Sequence, residues 1–573
     1  MRRPPPPAAP RARLRAALRA TLSASLSAAL CASLCACTPP AAPPSAAWPE
    51  EVVAYGGADD LSAWLYAVQA YAQDAYPGAP AFAPLAPGML AGAFGVQTPQ
   101  ALDLAAPVRW VVAAPAEGAA PPAPPADPSK DVYTPSGELL YKAPAPPPPR
   151  APWRALAALR LTPLAVEGGA LSANVLSPTL WRAAEGREGV YEPLTSQFDG
   201  KLYVRGRWLI LSNDEGLYAR AADALIAAAE RPLSPHLSAR VLLRQLKAHR
   251  AALDARSGGL LRLSDPSLDE VFNGDELSLT LSVTAARLAV EVGAPLRGGL
   301  AALAAPRLFS PAEALGALQG NATGFVAGSL NGLNLKELAA RVPELPRALA
   351  TLAPAPDLTL ALALNSALEL NGVLSGPEAS RAPWLRAVLS AVQVTLAEAK
   401  AKEPSAVSLR VEEAEEIDGL RVERLALGDL PPPSATGPRL VDWRAQVREA
   451  ELLHAPTATL MSFGPRSHAR LAAWREGSRG EAGGLLARED VKGLTGRCGR
   501  MGFALYLSPL VVERLAGATP TAEELGGEEG LAALVCARPR AEGGESLVGE
   551  LSVPVGVARR AVGVFLRGGF PLK

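Results

Sequence analysis

The sequence predicts an α+β protein built from repeated modules, each an antiparallel sheet with packed helices. Three observations carry that expectation. Apolar and polar residues alternate with period two in many short runs, as in strands buried on one face, which marks antiparallel rather than parallel sheet. Between these runs lie stretches whose apolar residues recur at i, i+3, i+4 and i+7, the stripe of an amphipathic helix. Finally, a strand-then-helix unit recurs along the chain. At 573 residues, 49% of them hydrophobic, the chain can fill cores for about two to four domains.

Val52-Val53-Ala54-Tyr55 opens a strand, Gly56-Gly57 reads as a turn, and a helix follows with Leu61, Trp64, Leu65, Val68, Tyr71 and Ala75 on one stripe. The next strand runs from Val108 to Ala113, with Val108, Trp110 and Val112 on one face. Residues 115–152 carry proline runs and read as a disordered surface insertion with a small hairpin around Pro135-Ser136-Gly137. Alternation resumes at 155–164 and 201–211, with Asp199-Gly200 as turn residues. Ser212-Asn213-Asp214-Glu215 then fits a capping box for a helix buried through Leu217, Ala221, Leu225 and Ala228. A second helix is expected over 237–253, and Ser267 to Glu270 repeats the capping pattern.

From 277 to 292 the alternation is plain, with a change of parity at Ala285-Ala286 that demands a bulge or turn. Further along, 325–329 reads as a strand, 335–349 as a helix, and 358–370 as one long strand with Leu358, Leu360, Leu362, Leu364, Leu368 and Leu370 on a shared face. An amphipathic helix through Leu385, Val388, Leu389, Val392, Leu396 and Ala399 follows, then a hairpin over 407–427 turning at Asp418-Gly419. The last part alternates strands (457–462, 502–507, 531–536, 547–553) with helices (466–476, 510–515, 557–566).

Two segments superpose by offset: Ser212 and Ser462 each end a strand, and Ala219-Arg220 and Ala469-Arg470 follow at plus seven and plus eight. The pattern implies two full copies and a shorter third, placed as modules over 50–321, 322–485 and 486–573.

The leader is the sharpest signal. Six arginines and no acidic residue precede Cys37, and an Ala/Leu/Ser/Cys stretch from Thr21 to Ala36 is too short to span a bilayer as a permanent helix. It ends in Leu34-Cys35-Ala36-Cys37. This resembles the lipobox of bacterial lipoproteins. The resemblance implies a signal peptide over 1–36, cleavage before Cys37, diacylglyceryl and further acyl chains on that cysteine, and a Pro/Ala tether over 37–49. Thr38 stands where an inner-membrane retention aspartate would stand, so the resemblance implies an anchor in the outer membrane.

Without its leader the chain has 50 basic and 56 acidic residues, a net charge of −6 that offers no general field for nucleic acid. Cys498 and Cys536 are the two thiols left, and in an oxidising envelope an even remainder reads as one disulfide.

No catalytic motif stands out. His236, His249, His454 and His468 lack metal-ligand spacing, and GxSxG, SxxK, GxxxxGK and GxGxxG patterns do not occur. Capping accounts for Ser212 to Glu215, a turn for Asn273-Gly274-Asp275-Glu276, and a helix start for His468. No catalytic, metal or cofactor site is expected. The sequence therefore reads as a lipid-anchored, non-enzymatic envelope protein that scaffolds or binds a protein partner. A periplasmic carrier of lipid or another amphiphile, its leucine-lined strand around acyl chains, is the alternative, and a hydrolase without a legible motif the third.

Overall fold

The structure is a computed structural model that describes residues 48–115, 132–133, 139–141, 153–167, 170–172, 174–195, 200–257, 269–331, 357–367, 369–402, 408–428, 448–477, 484–515, 529–540 and 543–566. The signal peptide, Cys37, the tether up to residue 47, Ser267 and the helix expected over 335–349 lie outside them. The class is mixed α+β, mostly sheet, and every strand pairing among the described residues is antiparallel. The chain divides into two compact units, one of residues 39–66 and 81–277 and one including 67–80 and 278–573. That division falls at 277/278 rather than at the expected 321/322, and 486–573 belongs to the same unit as 322–485.

The N-terminal unit contains β1 (Val52–Ala58), α1 (Leu61–Ala75, which straddles the division), α2 (Ala86–Phe94), β2 (Val108–Ala113), β3 (Val132–Tyr133), β4 (Leu139–Tyr141) and β5 (Arg154–Arg160). It continues with β6 (Val166–Glu167), β7 (Ala170–Leu171), β8 (Trp181–Ala183), β9 (Val190–Pro193), β10 (Lys201–Arg205), β11 (Trp208–Ser212) and α3 (Glu215–Ala229). β12 (Leu237–Leu242), α4 (Leu243–Ser257) and α5 (Asp269–Phe272) complete it. Its main sheet runs β8-β9-β10-β11-β5-β2-β1-β12. α3 covers one face, burying Leu217, Ala221, Ala222 and Leu225 against Val111, Leu156, Ala158, Tyr203 and Ile210.

The C-terminal unit contains β13 (Glu276–Val283), β14 (Arg287–Pro295), α6 (Gly298–Ala304), α7 (Pro311–Leu315), β15 (Ala322–Ser329), β16 (Thr359–Asn365), β17 (Leu370–Ser375) and α8 (Glu378–Lys402). Then come β18 (Ser408–Ile417), β19 (Leu420–Gly428), β20 (Glu449–His454), β21 (Ala458–Phe463), α9 (Ser467–Gly477) and α10 (Glu489–Thr495). The last elements are β22 (Arg500–Leu507), α11 (Pro509–Leu515), β23 (Leu531–Pro539), β24 (Glu545–Pro554) and α12 (Val555–Leu566). Its sheet runs β13-β14-β24-β23-β22-β15-β16-β17-β21-β20-β19-β18. One line of directly paired residues crosses eleven of these strands: Thr280, Glu291, Glu550, Leu534, Ala504, Ala327, Ala361, Val373, Leu460, Leu453 and Val422. All are buried, so the face is continuous, polar at one end and apolar along the rest. Among the described residues no helix is long and apolar enough to cross a membrane.

Several local expectations need correction. Gly56 and Gly57 lie inside β1 rather than in a turn, because a Cβ at Gly56 would sit 2.3 Å from the Ser238 carbonyl of β12, so glycine permits that close approach. Val108, Trp110 and Val112 do share one face of β2, and the fully buried residues Arg109, Val111 and Ala113 lie on the other. The helix cap before α3 is Asp214, which accepts from the Leu217 amide; Ser212 instead bonds Asp214 through its own hydroxyl. Residues 237–242 form a strand rather than the start of a helix, since pairing with β1 supplies the ladder that overrides local preference. Residues 201–211 form two strands that turn at Gly206 (φ 56°) rather than one run; β10 starts directly after Gly200, and Asp199 lies outside the described residues. The long strand over 358–370 is also two strands: the Asn365 side chain accepts from the Ala367 and Glu369 amides and folds the chain back into β17. A short β3–β4 ladder does occur within the proline-rich insertion, flanking Pro135-Ser136-Gly137.

Candidate functional site

In the C-terminal unit a polar row crosses four strands on the face covered by α9. Arg424 of β19 opposes Glu451 of β20, Glu451 opposes Ser462 of β21, and Ser462 opposes Asn371 of β17. Directly opposed residues share a face with their Cβ atoms about 5 Å apart. The neighbouring row, Val422, Leu453, Leu460 and Val373, is apolar and buried and packs with Leu471 and Trp474 of α9. The polar row is thus sealed on one side by core.

Glu451 is 1% exposed. Its Oε1 accepts from the Arg424 guanidinium at 2.9 and 2.8 Å, and its Oε2 lies 3.0 Å from Nδ1 of His468 in the first turn of α9. Ser462 is fully buried, donates to Asn371 Oδ1 at 3.0 Å and accepts from Nε of Arg470 at 2.9 Å. Arg470 also reaches Glu369 Oε1 at 2.8 Å, and Glu369 Oε2 accepts from the Asn365 amide at 2.7 Å. α9 can begin so close to β21 because Gly464 (φ 94°) and Arg466 (φ 65°) turn the chain sharply. A carboxylate fixing Nδ1 of an imidazole is the geometry of a proton acceptor. The adjacent hydroxyl cannot serve as its nucleophile: Ser462 is out of reach of solvent, and its proton is committed to an amide oxygen, which is no base. What the row does chemically is compensate buried charge.

A second cluster lies on the same sheet face. Glu550, 3% exposed, opposes Glu291 at the centre of the β14–β24 ladder. Arg287, Arg497 and Arg538 all bond Glu550, and Arg538 also lies 3.6 Å from Glu291. Burial alone would raise the Glu550 pKa, but Arg497, Arg538 and Arg287 outweigh it and hold the carboxyl below its ordinary value. Cys498 and Cys536 are bonded, with Cα atoms 5.7 Å apart. The bond ties the segment carrying Arg497 to β23, two residues from Arg538. Beside this cluster is an open pocket of about 480 Å³ lined in part by Thr284, Arg287, Glu529, Val555 and Arg559.

Of the residues singled out by sequence, Cys37 lies outside the described part. Glu215 pairs on the surface with Lys201 and Arg187. Asn273 and Gly274 form the turn into β13, where Asp275 pairs with Arg244 and Glu276 with Arg240. His236 precedes β12, His249 lies on α4, and His454 ends β20 beside Glu423 at 3.4 Å. His468 does stand at a helix start but is held by Glu451 rather than simply solvated. No group of three or more His, Cys, Asp or Glu among the described residues could hold a metal ion. Sequence reasoning missed Glu451, Asn371 and Glu369. For Glu451 and Asn371 the one local signal is a polar residue at an inward position of an apolar strand, Glu369 stands just before β17, and only strand register reveals that they meet. Comparison with known proteins adds no kinship: no family model, no curated protein and no solved structure matches this chain.

Proposed function

We propose that the chain is a lipid-anchored protein of the bacterial cell envelope that scaffolds or binds a macromolecular partner and catalyses no reaction. The observation that carries this reading is Leu34-Cys35-Ala36-Cys37 at the end of an arginine-rich, acid-free leader. Two features of the folded part support it. The polar groups of the row around Glu451 are spent on one another. The leucines that would line a carrier's wall are packed by protein: Leu358, Leu374, Leu385, Leu452 and Met461 form one cluster, with Leu360, Leu362, Trp384 and Leu389 against it. Intact-mass analysis of protein from its native host tests the anchor. The expected mass begins at residue 37 and carries acyl chains, with the protein in the outer-membrane fraction; an unmodified Cys37 or an uncut leader would sink it. Native mass spectrometry on the same sample tests the carrier alternative, for which co-purified lipid beyond the anchor would count.

The modules are two copies in this reading, with the expected shorter third absorbed into the second. The order β8-β9-β10-β11-β5-β2-β1-β12 matches β18-β19-β20-β21-β17-β16-β15-β22 strand for strand, and α3 after β11 matches α9 after β21. β13–β14 and β23–β24 then follow as equivalent hairpins. Ser212 and Ser462 occupy the same place in this correspondence. An experimental structure in which the two strand series failed to superpose would overturn the duplication.

A further inference from the structure

We propose that the N-terminal unit rests on the membrane through an uncharged apolar surface formed by α2 and the turn after β5. The proposal builds on the lipid-anchored reading and names the surface that meets the bilayer. Residues 81–102 contain no charged side chain, in a chain in which 20% of residues are charged. This stretch is largely at the surface. Leu85 is 62% exposed and Met89 69% exposed, one helical turn apart on the outer side of α2, while Ala86 and Ala91 face inward.

The outward stripe of a surface helix is normally polar, and here it is Leu85, Gly88, Met89 and Gly92. The turn after β5 carries Leu164, 92% exposed, the most exposed large apolar side chain among the described residues. The two segments adjoin: Thr162 donates its amide to the Ala101 carbonyl, Leu161 bridges Leu102, and Ala91, Ala101, Leu161 and Ala165 share one cluster beneath. Large apolar side chains are held outward over a packed base, which is how a rigid body inserts a few side chains into an interface.

The anchor makes the bilayer the occupant to choose. Residues 38–47 separate Cys37 from Trp48, which packs on the cluster at the start of β1. Eleven chain steps reach at most about 38 Å, whereas the seven residues of β1 span only about 20 Å. The tether is therefore longer than the strand it leads into, which leaves the N-terminal unit room to turn toward the membrane while staying close to the lipid. An absence of charge suits that contact, because uncharged groups reach the acyl boundary without losing the hydration of an ion.

The test uses the full lipidated protein in vesicles of phosphatidylethanolamine and phosphatidylglycerol. Cys31 and Cys35 leave with the leader, Cys37 is acylated, and Cys498 and Cys536 are bonded, so Met89→Cys introduces the one reactive thiol for a polarity-sensitive dye. Asp223→Cys, at a charged side chain 82% exposed on α3, is the reference. The expected result is a blue-shifted dye at position 89, quenched by nitroxide-bearing lipids several-fold more than the dye at 223, with the difference reduced when Leu85→Glu is added. Equal quenching at the two positions overturns the proposal. So does a blue shift at 89 that follows protein concentration and ignores the nitroxide lipid, which would assign the surface to a second copy or another protein. Intact mass of the same preparation reads acylation of Cys37 separately, so loss of the anchor and loss of the docking surface are told apart.

Discussion

Ser212 is the last residue of β11 and Ser462 the last but one of β21, each strand leads on into a helix, α3 or α9, and the two units treat these hydroxyls differently. In the N-terminal unit the strand partner is Lys201, which is 29% exposed and pairs with Glu192 at 3.1 Å and Glu215 at 3.2 Å, all at the rim. In the C-terminal unit the partner is Glu451, 1% exposed, with Arg424 across the next ladder. The signs are exchanged and so is the solvent. Arg220 and Arg470 diverge likewise: Arg220 reaches out to Glu51, whereas Arg470 bonds Ser462 and Glu369 within the row. An ion pair at the rim adds little, because water already solvates both partners. A buried carboxylate depends on its partners, since removing one leaves a charge that water cannot reach. The difference teaches that one strand order can carry either a dispensable surface pair or a demanding internal one.

The largest separation between the units is expected on reduction. Only the C-terminal unit has a disulfide among the described residues, and opening the Cys498–Cys536 link of sequence separation 38 frees the unfolded chain by an amount worth about 4 kcal/mol. Hydrogen exchange read peptide by peptide should show 484–515 and 529–554 losing protection in Cys498→Ala/Cys536→Ala while 201–229 is unchanged. Equal losses in both regions would mean that the comparison misassigns the bond's effect.

Next in size is Arg424→Ala, which leaves Glu451 buried with the His468 imidazole as its remaining side-chain partner. A loss of about 3 kcal/mol is expected, the low end for stranding a buried charge, because that imidazole remains. Urea unfolding monitored at Trp474, which is 3% exposed and packs on the same face, would measure it. Glu451→Gln combined with Arg424→Ala should recover part of the loss, since the charge is then gone.

Acid should sharpen the contrast. The Glu550 carboxyl titrates below its unfolded value, so its contribution is complete above about pH 4.5 and is lost as pH falls through the lower folded pKa. Exchange protection of 287–295 and 545–554 should therefore fall on acidification. Glu550→Gln should start lower and respond less to pH. A pH response unaltered by that substitution would remove Glu550 as its source.

Two hairpins were legible in the sequence: β13–β14 with its parity change at Ala285-Ala286, and β18–β19 with its turn at Asp418-Gly419, where both residues have positive φ. β8 and β9 were not, because three or four residues with a single buried side chain each carry no period to read. β12 was misread because Leu, Ala and Arg favour helix and only the β1 ladder makes them a strand. At the candidate site the offset from Ser462 to Arg470 could be seen, since it lies within one strand-to-helix unit. Glu451 and Asn371 could not, because they join that pair through ladders to β20 and β17, nor could Glu369, brought in just before β17; register is a property of two chains of residues rather than one.

The smallest effect tests the comparison most directly. Lys201→Ala removes the residue that opposes Ser212, as Glu451 opposes Ser462, and with it both contacts to Glu192 and Glu215. Those carboxylates are held below their ordinary range chiefly by hydrogen bonds from Lys201, yet they lie at the surface, where water replaces the lost ammonium. The unfolding midpoint should not move measurably, and raised salt should leave wild type and variant alike. A Lys201→Ala loss as large as that of Arg424→Ala would mean that the rim pair is as indispensable as the buried one, and solvent access would no longer be what separates the two units.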